Sequence, residues 1–179
     1  MQTAKIELLG LHQSRMDFEY TPEQIQLRKT VREFAEAEIA PHVLEWDEGQ
    51  IVPLEVIKKA GKLGFLGAIF PEELGGAGLG YIDYAIIIEE LSRVDPSVGL
   101  IVAAHNSLCT NHSYLAGNEE QRRKYIPKLA TEEWIGTWSL TEPEAGSDAG
   151  GALAKAGEDG RCWGGKGRNR GHTTTRHHD

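Results

Sequence analysis

The chain has 179 residues, of which 40% are hydrophobic and 26% are charged. This composition is typical of a globular protein and excludes a wholly disordered or fibrous one. Its longest apolar runs, residues 85–88 and 100–104, fall far short of the roughly 18 residues that a membrane-spanning helix needs. The two cysteines form neither a CxxC pair nor a disulfide framework, so we expect a reducing compartment such as the cytoplasm.

Charge is distributed unevenly along the sequence. Residues 1–160 contain 14 basic and 26 acidic residues, a net charge of −12, whereas residues 161–179 contain five basic and one acidic, a net charge of +4. The acidic body lacks the clustered cations that bind a phosphate backbone, so we expect no nucleic-acid partner. The tail has no apolar residue after Trp163 with which to pack, and we expect residues 164–179 to be disordered. Residues 1–15 have no signal-peptide cleavage site, and we expect a disordered leader there.

A helix is predicted soon after this leader. Thr21 offers a capping hydroxyl, and Pro22 suits the first helical position. Apolar residues then recur at intervals of three and four, which places Arg28 and Arg32 on the solvent face. Pro41 marks the end of this helix or a kink in it.

A second helix is predicted to open at Pro53 and to end at a left-handed Gly64, with an apolar face that consists of Leu54, Ile57, Ala60 and Leu63. The glycine-rich residues 75–80 come later in the chain. They match neither a GxGxxG motif after a strand nor a P-loop with its terminal Gly-Lys-Ser/Thr. A flexible turn is therefore favoured, and a phosphate cradle stays open as an alternative.

Three more helices are predicted before residue 132. The first spans residues 81–93 and is rich in apolar side chains. The second opens at Asp95 and Pro96 and runs to residue 116, and the third begins with a capping box at Asn118 and runs to about residue 130. Because short loops join these elements, we predict a mainly α fold, with a helical bundle domain over residues 16–132.

The pattern changes after this bundle. Residues 134–141 alternate between aromatic, β-branched and polar side chains, which predicts a strand. Residues 157–160 predict a hairpin turn that leads into a further strand at residues 161–163. We therefore expect residues 133–163 to form the first strands of an incomplete β domain.

The loop after the first predicted strand carries the most specific motif of the chain. Residues 138–148, here called the signature segment, read Trp-Ser-Leu-Thr-Glu-Pro-Glu-Ala-Gly-Ser-Asp. This segment resembles the flavin-contacting sequence of the acyl-CoA dehydrogenase family. Residues 18–41, 70–76 and 117–129 are similar to the same family in the same order, and the resemblance covers about residues 16–163.

The resemblance implies a fold and a reaction. Members of the family have a helical N-terminal domain, a middle β-barrel domain and a C-terminal four-helix bundle, and they assemble as homo-oligomers, either dimers or tetramers. They bind FAD and oxidise an acyl-CoA thioester to the 2,3-enoyl product. A carboxylate removes the α-proton, the β-hydrogen leaves as hydride to the flavin, and an electron-transferring flavoprotein usually reoxidises the cofactor. In a eukaryote the implied compartment is the mitochondrial matrix.

The resemblance also implies site residues. Those along the flavin ring are Trp138, Leu140 and Thr141, with the Thr141 hydroxyl at the pyrimidine edge. Gly146 and Ser147 are implied at the pyrophosphate and at the entrance for the substrate thioester. The base of the acyl pocket is implied at Ala103, Ala104 and Ser107, although small residues also occur simply where two helices approach closely.

The sequence departs from the family after Trp163, where glycines and basic residues replace an apolar strand. We hypothesise a frameshift or truncation near this position. Because the family's catalytic glutamate lies in the C-terminal domain, no residue here is nominated as the base, and we expect the isolated chain to be inactive. The carboxylates that the chain does offer belong to a charged helix face or to the flavin loop: Glu89, Glu90, Glu142 and Glu144.

Three alternatives stay open at this point. One is a flavin monooxygenase or oxidase of the same fold, and another is a non-catalytic helical module used for binding or oligomerisation. The third is a zinc site, since His105, Cys109 and His112 lie at i, i+4 and i+7 and so share a helix face. Packing or capping roles are more usual for such residues, and we expect no metal site.

Overall fold

The computed structural model describes residues 18–159 and 162–166, so the expected leader and the tail beyond residue 166 lie outside the described residues. The described part is mainly helical. Its helices are α1 (Pro22–Glu38), α2 (Val43–Gly49), α3 (Leu54–Lys62), α4 (Tyr81–Val94), α5 (Pro96–Ala103), α6 (Asn111–Ala116) and α7 (Glu119–Ala130). None of these described helices is both long and apolar enough to cross a membrane.

The predicted helix starts are confirmed by their caps. The Thr21 hydroxyl accepts the Gln24 N–H, and the Gln24 side chain accepts the Thr21 N–H in return. Asp95 accepts the N–H groups of the first turn of α5, and Asn118 forms a second capping box at α7. These local bonds satisfy amides that have no partner inside the helix, which is why sequence alone locates them.

The sequence did not predict α2. After α1 ends, Pro41 lies in a short 3-10 turn (Ala40–His42) that leads directly into α2. No residue of α2 is buried, and Leu44 is 76% exposed. Only Val43 and Trp46, both half-buried, pack against the core from this seven-residue helix. Two apolar positions are too few to show the periodicity that marks the other helices.

One hydrophobic core joins α1, α3, α4 and α5. It contains Val31, Ala35, Ile39, Val56, Ile57, Ala60, Phe65, Leu66, Ala68, Ile87, Leu91, Val98, Ile101 and Val102. The predicted inward face of α3 is partly wrong, because Leu54 and Leu63 are 42% and 50% exposed. The buried stripe instead pairs Ile57 and Ala60 with Val56 and Gly61, so the helix is rotated relative to the prediction.

An ion cluster around one buried carboxylate links α1 to α4. Glu90 is fully buried, and its Oε1 accepts the Arg28 Nε–H at 2.7 Å while both of its oxygens bond Arg32 at 2.8 Å. Arg93 approaches Oε2 at 3.2 Å. These bonds, those of Arg32 foremost, lower the pKa of Glu90 to about 2. Arg28 and Arg32 do reach solvent as predicted, with side chains 38% and 42% exposed. The sequence did not predict that they also bond Glu90, whose carboxylate is buried between the two helices.

The glycine-rich residues 75–80 form an ordered turn and not a flexible one. Every backbone amide from residue 75 to residue 80 donates a hydrogen bond within the chain. Three of them reach back to carbonyls of residues 67, 68 and 70. A Cβ at Gly76 would lie 2.1 Å from the Phe70 carbonyl oxygen, so glycine is required there. Because no amide is left to donate to a ligand, the phosphate-cradle alternative is also excluded.

The predicted helix from Pro96 to residue 116 is confirmed as a continuous helical stretch with an irregular middle. A π-helical segment, Ala104–Thr110, connects α5 to α6. π-helical turns are rare in proteins, and those that do occur are often found at functional sites. Here the segment carries Ser107 and the two residues His105 and Cys109, which the sequence singled out.

The strand predicted over residues 134–141 is absent, because residues 135–142 adopt neither helix nor strand. The backbone donors of this segment bond to the helical domain, with the Trp134 N–H on the Lys128 carbonyl and the Gly136 N–H on a ring nitrogen of His105. An aromatic and β-branched sequence favours a strand only where a neighbouring strand accepts its bonds. No described strand pairs with this segment.

An antiparallel hairpin follows further along the chain, with β1 (Lys155–Asp159) paired to β2 (Cys162–Lys166). Asp159 pairs with Cys162 in its register, so residues 157–159 belong to β1 and not to the turn that was predicted over residues 157–160. β2 includes residues 164–166, where we expected the disordered tail to begin.

Candidate functional site

The signature segment lies at an open surface beside α6 and the π-helical segment. The Trp138 side chain is half-buried, and Leu140 is 41% exposed. Thr141, Gly146 and Ser147 are exposed. The five residues that the sequence assigned to a flavin therefore share a short, accessible stretch of chain, and none of them lies in the packed interior.

The helical wall behind this segment consists of His105, Cys109 and His112. His105 Nδ1 accepts the Gly136 N–H at 2.9 Å, and a Cβ added at Gly136 would lie only 2.6 Å from Cys109 Sγ. The ring of His112 packs on the ring of Trp138, with 4.3 Å between centroids. The three residues do share a face, as their spacing predicted, and that face holds residues 136–138.

This arrangement leaves His105 no nitrogen for a metal. Its Nε2 lies 2.9 Å from the Leu129 carbonyl oxygen, to which it must donate, and its Nδ1 is used by Gly136. Burial lowers the pKa of His105 to about 4 and raises that of the Cys109 thiol. A neutral imidazole with both nitrogens bonded is a structural link. Within the described residues no group of three His, Cys, Asp or Glu side chains is arranged to hold a metal ion.

The second half of the signature segment forms a tight turn. Glu142 and Ala145 exchange backbone hydrogen bonds at 2.9 and 3.3 Å, and both residues are buried. Gly146 and Ser147 follow at the surface, and their amides donate to no other group in the described part of the chain. A Cβ added to Gly146 would meet nothing within 4 Å. The turn thus presents open backbone, which is what a bound anionic group requires.

The residues assigned to the acyl pocket lie on a different face of the same helical stretch. The Ala103 carbonyl oxygen accepts the Ser107 hydroxyl at 2.6 Å and the Tyr84 hydroxyl at 3.1 Å. Ala103 and Ser107 are half-buried, whereas Ala104 is 2% exposed. No described hydrogen bond or ring contact joins this group to the signature segment. The sequence did not predict that Tyr84 belongs to this group. Burial raises the pKa of its hydroxyl.

Comparison with known proteins decides the family. The family model described as "Acyl-CoA dehydrogenase, N-terminal domain" matches residues 21–133. The chain belongs to the acyl-CoA dehydrogenase family. The predicted family membership is therefore confirmed. The match to the family model ends at residue 133, before the signature segment begins.

Members of the acyl-CoA dehydrogenase family are similar to this chain in sequence and in fold. A short-chain specific acyl-CoA dehydrogenase of Clostridium acetobutylicum is 47% identical over 135 residues, which is 75% of this chain and 36% of that protein. An acyl-CoA dehydrogenase of Bacillus anthracis, solved in complex with FAD, has a TM-score of 0.74 and 35% identity over 87% of this chain and 27% of that one.

A further similar structure is that of the electron transferring flavoprotein of Acidaminococcus fermentans, with a TM-score of 0.76 and 40% identity. The match covers 83% of this chain and 39% of that one. The chain spans about a third of the length of the curated acyl-CoA dehydrogenases that it matches.

Proposed function

We propose that this chain forms part of an FAD-dependent acyl-CoA dehydrogenase and that its signature segment contacts the flavin. The observation that carries the proposal is that Leu140, Thr141, Gly146 and Ser147 are exposed along one short stretch of chain. His112 packs against Trp138 at the start of this stretch, and His105 bonds Gly136 just before it. The relative solved with FAD supports the choice of cofactor.

The chemistry of the exposed residues fits this cofactor. Trp138 and Leu140 offer apolar surface to a planar ring, and the Thr141 hydroxyl can both donate to and accept from its polar edge. Gly146 has open space where a side chain would otherwise stand, so a pyrophosphate can approach the backbone. A half-site of this kind binds the cofactor from one side, and enclosure must come from other parts of the protein.

FAD, when bound, accepts the hydride that leaves the β-carbon of the acyl thioester. The role of this chain is to orient the cofactor. The Thr141 hydroxyl would hold the pyrimidine edge, and the amides at Gly146 and Ser147 would hold the pyrophosphate. Ser147 would border the entrance for the substrate thioester, and the half-buried Ala103 and Ser107, on their different face of the helical stretch, would form the base of the acyl pocket.

We further propose that the substrate is an acyl-CoA thioester, that electrons pass to an electron-transferring flavoprotein, and that the whole protein is a homo-oligomer. The similarity to the electron transferring flavoprotein structure of Acidaminococcus fermentans supports the second point. The β-barrel domain expected after residue 133 is proposed on the resemblance together with the β1–β2 hairpin.

Titration with FAD tests the flavin contact. We expect Thr141→Ala to raise the Kd for FAD about fivefold to tenfold, since one buried hydrogen bond to the ring contributes about 1 kcal/mol. Ser139→Ala is the matched control because Ser139 is an exposed hydroxyl two residues away, and it should leave the Kd unchanged. Equal effects of the two variants would contradict the assignment. Protein that binds no FAD at any concentration would refute the proposed function and favour a non-catalytic helical module.

A further inference from the structure

The residues from 142 to 154 form a closed loop whose two ends are joined by one side chain. Glu142 is 6% exposed. Its Oε2 accepts the Leu153 N–H at 2.7 Å, and its Oε1 accepts the Ala154 N–H at 2.8 Å. Both carboxylate oxygens are therefore bonded to backbone that immediately precedes β1.

The loop has little else to order it. From residue 143 to residue 154, only Ala145 is buried, so no apolar core forms beneath the loop. Its other bonds are local: the exchange between Glu142 and Ala145, and two bonds of the short 3-10 turn Ala149–Gly151. Local bonds of this kind shape a turn but do not fix the turn to the rest of the protein.

The position of Glu142 ties this bond pattern to the flavin site. Thr141 precedes it directly, and Gly146 and Ser147 lie within the loop that it closes. A carboxylate with two oxygens suits two adjacent N–H donors, whereas a glutamine has one oxygen and an NH2 group that would face a donor. A carboxylate with both oxygens on backbone amides is also poorly placed to take a proton from a substrate.

We propose that Glu142 is a positioning residue: its carboxylate holds residues 142–154 closed against the start of β1 and so fixes the loop that presents Gly146 and Ser147. The link to flavin rests on the proposed function, whereas the closure of the loop does not. Glu142 acts through the loop and is not itself assigned to the reacting atoms.

Amide hydrogen exchange, measured residue by residue on the 179-residue chain without cofactor, tests the closure. In Glu142→Gln we expect exchange at Leu153 and Ala154 to become about tenfold faster or more, with faster exchange across residues 145–152. Exchange in the core helix α4 should stay unchanged, which separates a loop effect from general unfolding. Glu144→Gln, an exposed carboxylate of the same loop, removes the same charge and should change nothing.

Two further measurements complete the test. Glu142→Asp retains two acceptor oxygens on a shorter stem, so we expect exchange rates between those of the wild type and of Glu142→Gln. The Kd for FAD should rise about tenfold in Glu142→Gln and stay at the wild-type value in Glu144→Gln.

The outcomes separate the two proposals. Loop exchange that is the same in Glu142→Gln as in the wild type would overturn the positioning role, and so would an equal acceleration throughout α4. A wild-type chain that binds no FAD would refute the flavin contact alone, because the exchange data decide the closure without cofactor. Faster loop exchange with unchanged FAD affinity would also overturn the role of Glu142 at the flavin site.

Discussion

At the scale of single residues, two glycines on either side of Thr141 have opposite surroundings. A Cβ at Gly136 would lie 2.6 Å from Cys109 Sγ and 2.8 Å from Cys109 Cβ, whereas at Gly146 it would meet nothing within 4 Å. We therefore expect Gly136→Ala to lower the free energy of unfolding by about 1–3 kcal/mol through overpacking. Gly146→Ala should change it by no more than about 0.5 kcal/mol.

Thermal or denaturant unfolding of the two variants checks this prediction, with each acting as the control for the other. If Gly136→Ala unfolds at the wild-type midpoint, the contact between Cys109 and Gly136 is not as close as described. FAD titration of Gly146→Ala adds a second readout, because an added methyl group at the proposed pyrophosphate position should weaken binding without changing stability.

The proposed flavin-contact residues and the helical residues behind them differ in how they can be identified. The motif of residues 138–148 is contiguous, so sequence comparison reaches Thr141 and Ser147 directly. His105 and His112 were noticed for their spacing, which was interpreted as a metal alternative. Their actual partners, Gly136 and Trp138, lie 31 and 26 residues further along the chain, and no local rule predicts such a pairing.

At the scale of elements, His105 links α7 to the segment that follows it, and this link depends on a neutral ring. Its pKa is about 4 in the folded protein and about 6.5 in an unfolded chain. A lowered pKa means that protonation favours unfolding. The contribution of His105 is thus fully present above pH 6.5 and is lost as the pH falls from 6.5 to 4, by up to about 1.4 kcal/mol per pH unit.

Urea unfolding at pH 7 and pH 4.5 checks this dependence. We expect the wild type to lose about 2 kcal/mol more than His105→Gln between these two pH values, because the variant has no ring to protonate at this position. His42→Gln, which alters an exposed histidine on the surface, should behave as the wild type does. A parallel loss in all three proteins would mean that His105 is not the group that titrates.

Contacts between residues distant in the sequence also determine the bonding partners of the charged residues on α1 and α4. Arg28 and Arg32 have the helical spacing of a solvated face, and amphipathic analysis puts them in water. Their shared partner Glu90 lies 58 to 62 residues away, so the ion cluster appears only when the two helices pack. Local signals correctly located the helix starts at Thr21, Asp95 and Asn118, because a cap and its first turn are adjacent in sequence.

At the scale of the whole molecule, the two glutamates that are buried within the described residues are both bonded to other groups and are not free to act as a base. Glu90 is enclosed by three arginines, and Glu142 is bonded through both oxygens to backbone amides. We therefore expect no acyl-CoA dehydrogenase activity from this chain with FAD, since general-base catalysis needs a correctly placed acceptor for the α-proton.

Anaerobic mixing of the FAD-loaded chain with butyryl-CoA checks this expectation. The visible flavin absorbance should not bleach, whereas a full-length short-chain acyl-CoA dehydrogenase measured in parallel should bleach. Bleaching by the 179-residue chain would reveal a base among its own residues and would contradict the expectation. The same experiment on Glu142→Gln would then show whether Glu142 is that base.

The sequence by itself determined the family, the helical class, the capped helix starts and the candidate flavin residues, because each of these depends on neighbours along the chain. The tertiary structure decided which charges are buried, how the glycine-rich turn uses its amides, and why residues 134–141 form no strand. It also showed that the helix face formed by His105, Cys109 and His112 packs against residues 136–138, where the signature segment begins. These features depend on contacts between residues that are distant in the sequence, and only packing of the helices brings those residues together.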